Sequence, residues 1–129
     1  MPATQIIQEL NPRSFQELLS KLGNRVLVIK FTATWCGPCK QIQPTFVQCI
    51  KHLPANALVA EIDVDECLDL YMTFKKHKMV NAIPTFLAFF GDVKRDMWFI
   101  PDDSIIGADP KAVFQFFERC NSKAMSLTQ

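Results

Sequence analysis

The chain has 129 residues, 49% of them hydrophobic, which suits one domain with its own core. Fourteen Lys and Arg against thirteen Asp and Glu leave a net charge of +1, which argues against a general nucleic-acid or anionic-membrane role. No apolar run approaches the roughly 20 residues that span a bilayer. Met1 to Gln5 lacks a basic segment followed by an apolar stretch, so no secretory leader is expected.

In chain order, Gln5 to Leu10 reads as a short first strand. Asn11-Pro12 has the form of a helix cap with proline at the first helical position. Phe15, Leu18, Leu19 and Leu22 then recur at helical spacing until Gly23 ends the helix. Arg25 to Thr32 is an apolar strand. From Cys36 to about Leu53 the side chains Ile42, Phe46, Cys49, Ile50 and Leu53 fall on one helix face, with a kink expected at Pro44. Ala57 to Val64 is a second buried strand, Leu68 to His77 a helix and Thr85 to Phe90 a third apolar strand. The last helix is expected from about Pro110 to Asn121, with Val113, Phe116, Phe117 and Cys120 on one side. The order strand, helix, strand, helix, strand, helix, strand, strand, helix predicts an α/β domain around a mixed sheet. One domain is expected over 1–129, with a flexible tail at about 122–129.

Five cysteines, an odd number without a regular framework, suit a reducing compartment better than a disulfide-stapled secreted domain. Two of them form Trp35-Cys36-Gly37-Pro38-Cys39, at the junction of a strand and a helix. A cysteine at a helix N-terminus faces unpaired N–H groups and the positive end of the helix dipole, and both favour thiolate. Thiolate is the species that attacks disulfides. Cys36, first at the helix end, is the expected nucleophile. Cys39, one turn in, is expected to be more buried and to resolve the mixed disulfide. Gly37 and Pro38 set the geometry between the sulfurs, and Pro38 stiffens the loop at no cost in helical hydrogen bonds. Zinc binding would need four ligands, and there is no second Cys-x-x-Cys, so no metal site is expected. Cys49 and Cys120 lie on apolar helix faces and read as inert buried thiols. Cys67 lies near a helix start after Asp65-Glu66, where exposure would open it to a regulatory or intermolecular disulfide.

Trp35-Cys36-Gly37-Pro38-Cys39-Lys40 resembles the active-site signature of the thioredoxin family, and the resemblance continues at Ala82-Ile83-Pro84-Thr85. It covers roughly Ile6 to Cys120. On spacing alone, Pro84 is an ordinary proline at the start of a strand. The resemblance implies a cis Ile83–Pro84 bond beside the disulfide, with Ile83 backbone groups offered to a substrate peptide as a short added strand. It implies that Gly107 completes the substrate groove. Trp35, next to Cys36, reads either as a flat apolar wall beside the nucleophile or as core packing. It also implies the thioredoxin fold, a central mixed sheet with helices on both faces.

The chain departs from that family in two places. The family's usual buried aspartate, six residues before the first active-site cysteine, is replaced by Lys30. Either Lys30 pairs with Glu61 of the neighbouring strand beneath Cys39, or it snorkels to solvent without effect. Paired, it would favour the Cys39 thiolate and make the potential less reducing, with Glu61 able to take over proton transfer. The second departure is an insertion at about 92–106, the fifteen residues between Gly91 and Gly107. Its apolar Met97-Trp98-Phe99-Ile100 suits a buried strand or a sticky surface. The insertion either covers the core or approaches the groove and selects partners.

The resemblance implies a thiol–disulfide oxidoreductase that reduces protein disulfides through Cys36 and Cys39. No glycine-rich dinucleotide fingerprint is present and no cofactor is expected on the chain. The implied electron donor is an NADPH-dependent thioredoxin reductase. A cytoplasmic monomer or weak dimer, without nucleic-acid or membrane partners, completes the expectation. One alternative is a binding module docked through the insertion. Another is a more oxidising oxidase or isomerase, which Lys30 favours and Gly37-Pro38 disfavours.

Overall fold

A computed structural model describes residues 5–129. The readings that rest on Met1 to Thr4, part of the expected domain and the leader reading, lie outside the described residues. Nine elements follow in the expected order: β1 (Ile6–Ile7), α1 (Pro12–Ser20), β2 (Val26–Thr32), α2 (Gly37–Lys51), β3 (Ala57–Asp63), α3 (Leu68–Lys76), β4 (Thr85–Phe90), β5 (Asp103–Ile106) and α4 (Pro110–Ser126).

The five strands form one mixed sheet in the order β1-β3-β2-β4-β5. The first three run parallel, while β4 is antiparallel to β2 and β5 to β4. Alternation along β2 sorts the core into two halves. Leu27, Ile29 and Phe31 pack with Phe15 of α1 and with Leu70 and Phe74 of α3. Val26 and Val28 pack with Ile42 and Phe46 of α2 and with Val113 and Phe116 of α4. The sheet is therefore covered on both faces, and its central strands are apolar almost throughout. Lys30 falls on the α2/α4 face, its ammonium over the Phe46 ring.

Local chemistry explains the helix starts. Asn11 and Ser14 form a reciprocal cap on α1, with Pro12 at its head. Asp109 caps α4 ahead of Pro110. Gly91, after β4, is required by space, since a Cβ there would lie 1.9 Å from the Gly23 carbonyl oxygen.

Four expectations are corrected. The first strand is only Ile6–Ile7, paired with Val59 and Ala60. By Gln8 the chain has left the sheet, and the Gln8 carbonyl lies 3.4 Å from Cys67 Sγ. Gly23 lies three residues beyond the end of α1, at positive φ.

The last helix passes Asn121 and runs to Ser126, so most of the expected tail at 122–129 is helix. Ala124 is buried against the α2/α4 core, and Asn56 Nδ2 donates to its carbonyl at 2.8 Å. Those contacts, distant in sequence, carry the helix through a polar segment.

In the insertion, Met97 to Ile100 is not a strand. Arg95 donates to the Phe90 and Ile100 carbonyls and pairs with Asp102 at 2.7 Å, closing the segment on itself. Asp102 in turn accepts from the Phe90 N–H. Trp98 lies against Phe15 and Phe74, and Phe99 stacks on His77. The insertion covers the α1/α3 core and ends as β5.

Candidate functional site

β2 ends at Thr32, and a short turn delivers Cys36 to the N-cap of α2. Gly37 is the first helical residue and Pro38 the second, where no helical N–H is missed. Cys36 and Cys39 are joined by a disulfide with their Cα atoms 5.3 Å apart. The Cys39 N–H donates to Cys36 Sγ at 3.2 Å, so the helix terminus points a backbone donor at the first sulfur. Cys39 is 2% exposed and Cys36 5%. The order is the expected one, with the second cysteine deeper.

Three segments converge on this disulfide. Trp35 is 66% exposed, and its indole N–H donates to Asp65 Oδ2 at 2.8 Å. The Ile83–Pro84 peptide is cis, and the Ile83 carbonyl oxygen lies 3.9 Å from Cys36 Sγ. Gly107, at φ +103°, donates its N–H to the Pro84 carbonyl at 2.9 Å, which ties the end of β5 to the start of β4. Beside it Ile106 is 60% exposed. Trp35, the Ile83–Pro84 backbone and the Ile106–Gly107 edge thus stand around one sulfur pair.

Beneath Cys39 lies Lys30, fully buried, so the snorkelling alternative is excluded. It sits opposite Glu61 in the β2–β3 register. Its Nζ lies 3.3 Å from Glu61 Oε2 and 3.5 Å from the Cys39 carbonyl, and it donates to Gln43 Oε1 as well. Burial lowers the Lys30 pKa, and Glu61 opposes that shift by charge and by hydrogen bond. Three acceptors converge on one nitrogen. An ammonium has a proton for each of them, whereas a neutral amine would turn its lone pair on one.

Sequence reasoning missed Gln43 and Asp65. Gln43 lies one helical turn after Cys39 and so on the same side of α2, a signal that the spacing did contain. Asp65 had no comparable signal. It reaches Trp35 because Asp63 Oδ1 accepts from the N–H groups of Asp65 and Glu66 and turns the chain after β3.

The remaining cysteines lie apart from this constellation. Cys49 and Cys120 are buried, and burial pushes their thiols up to about 11 and about 12. Cys67 is buried too, so the exposure that a regulatory disulfide would need is not found. Among the described residues no His, Cys, Asp and Glu cluster could hold a metal ion. No described helix is long and apolar enough to cross a membrane.

Comparison with known proteins places this geometry. A family model described as Thioredoxin matches residues 6–115. Thioredoxin domain-containing protein 8 of Rattus norvegicus is 42% identical over 77 residues, which is 60% of this chain and 57% of that protein. Thioredoxin of Equus caballus is 36% identical over 85 residues, 65% of this chain and 76% of its own. Among solved structures, Malassezia sympodialis thioredoxin superposes with a TM-score of 0.70 at 28% identity, covering 94% of this chain and 95% of that one. Mitochondrial thioredoxin 3 of Saccharomyces cerevisiae, in its oxidised form, gives 0.66 at 32% identity over 88% and 94%.

Proposed function

This chain belongs to the thioredoxin family and is a thiol–disulfide oxidoreductase, and we propose that it reduces protein disulfides with Cys36 as nucleophile and Cys39 as resolving thiol. The observation that carries the assignment of roles is the disulfide at the N-terminus of α2, with Cys36 the cap and Cys39 in the first turn behind it. The helix end favours thiolate at Cys36.

In the reduced protein the Cys36 thiolate attacks one sulfur of a substrate disulfide. A mixed disulfide forms, and the other substrate sulfur leaves as thiolate. Cys39 then attacks Cys36 Sγ, the bond to the substrate breaks, and its second thiol departs. The substrate gains two electrons and the protein ends as the Cys36–Cys39 disulfide. The backbone beside the cis Pro84 receives the substrate chain as an added strand, between Trp35 and Gly107. Lys30, held by Glu61, places a positive charge under Cys39 and favours its thiolate, which raises the potential. A flavin-containing, NADPH-dependent reductase returns the electrons. The protein works in a reducing cytoplasm as a monomer or weak dimer, as an electron carrier in thiol homeostasis.

The test is the reduction of insulin by the protein with its reductase and NADPH. Cys36→Ser should abolish turnover. Cys39→Ser should accumulate a mixed disulfide that a thiol reagent releases. Full turnover by Cys36→Ser would end the assignment.

A further inference from the structure

Resolution requires Cys39, the more buried thiol, to lose its proton before or as it attacks. Lys30 links it to one carboxylate, that of Glu61. Lys30 bridges the Cys39 carbonyl, Gln43 Oε1 and Glu61 Oε2. No other donor among the described residues reaches the Glu61 carboxylate. Its second oxygen is therefore free, and the side chain is 18% exposed. An open cleft runs past it to Cys39, lined by Thr32, Cys39, Lys40, Gln43, Glu61 and Asp63. The charged groups facing Glu61 are Lys30 from β2, Lys40 from α2, and Asp63 and Glu66 from the end of β3 and its turn. Asp63 is occupied in capping that turn, which leaves Glu61 as the carboxylate poised over the cleft.

We propose that Glu61 accepts the Cys39 proton through water in this cleft, and that Gln43 is the positioning residue that keeps Glu61 available by sharing Lys30. The proposal rests on the roles given above to Cys36 and Cys39. The step balances. Cys39 S–H gives its proton to the Glu61 carboxylate, the sulfur's electron pair forms the bond to Cys36 Sγ, and the substrate thiolate leaves with its own pair. Without Gln43, all of the ammonium's side-chain hydrogen bonding would fall on Glu61 and draw its carboxylate toward Lys30, away from the cleft.

Stopped-flow reaction of the reduced protein with a nitrobenzoate aryl disulfide separates the steps, because each released aryl thiolate is coloured. The first release reports Cys36, the second Cys39. The aryl thiolate needs no proton to leave, so the second phase isolates deprotonation of Cys39. In the native protein this phase should vary little between about pH 6 and 8. In Glu61→Gln it should slow at least about tenfold at neutral pH and then rise about tenfold per pH unit, as free thiolate takes over. Gln43→Met, which keeps length but not the acceptor, should slow it a few-fold and steepen the profile, and Gln43→Glu should restore the flat one. A native rate and flat profile in Glu61→Gln would overturn the proposal. A native profile in Gln43→Met would overturn the positioning role. An unchanged first phase shows each variant folded. Absence of a first phase in the native protein would instead refute the nucleophile reading.

Discussion

An ammonium enclosed by Phe46, Gln43 and the backbone of Cys39 must be paired or lose its proton. Lys30 is paired, and the same enclosure makes its charge felt, because little water lies between it and the second cysteine. In the role proposed for it, this cation stabilises the Cys39 thiolate, hence the reduced dithiol, hence a higher potential. Lys30→Met should therefore shift the Cys36–Cys39 potential in the reducing direction by about 30 mV, the equivalent of about 1.4 kcal/mol. Equilibration in glutathione buffers, followed by Trp35 fluorescence and thiol alkylation, measures it. No shift, or a shift of the opposite sign, would mean that the Lys30 charge does not govern Cys39. The residues of this site differ in how visible they are in the sequence. Cys36, Pro38, Cys39 and Pro84 announce themselves by local motif. Lys30 stands out only against a resemblance, and Gln43 acquires meaning only when α2 is laid on β2.

Elements show the same division. Phe15, Leu18, Leu19 and Leu22 carry a periodicity that any turn of α1 repeats, and the apolar run of β2 can only be a covered strand. Their signals are local, so they are legible. The end of α4 is not, because its polar last turns are held by Asn56, which donates to both Asn24 O and Ala124 O. Asn56→Ala should cost about 1–2 kcal/mol in urea unfolding by stranding these carbonyls. The insertion is similarly non-local. Trp98 sits half-buried among Phe15, Phe74 and Phe99, while Arg95 satisfies carbonyls that a hairpin would have paired. Trp98→Ala should cost about 2–3 kcal/mol, at the lower edge of what buried aromatic truncations lose. Because this cluster lies against the α1/α3 core, both aryl-thiolate phases should keep their native rates. A slowed first phase would mean that Trp98 supports the substrate groove as well as the core.

For the whole molecule, the buried titratable groups set an alkaline limit. In the unfolded chain the thiols of Cys49 and Cys120 titrate near 9.0, whereas burial holds them at about 11 and about 12 in the fold, with Asp103 adding to the rise at Cys120. Between about pH 9 and 11 the native state keeps protons that the unfolded state has released. It binds more protons, so stability falls as pH rises through this window. Lys30 has the opposite sign. Its pKa lies below its ordinary 10.5, so in the window beneath 10.5 the native state gives up a proton that the unfolded state retains, and stability rises with pH. Two thiols outweigh one amine, and the net trend above about pH 9 is downward. Cys120→Ala should flatten it by up to about 1.4 kcal/mol per pH unit, while Lys30→Met should steepen it. Urea unfolding of the three proteins at about pH 8, 9, 10 and 11 measures both slopes. Parallel lines for the native protein and Cys120→Ala would show that Cys120 reaches solvent in the native state, and the sealed α2/α4 core would then have to open before the protein unfolds.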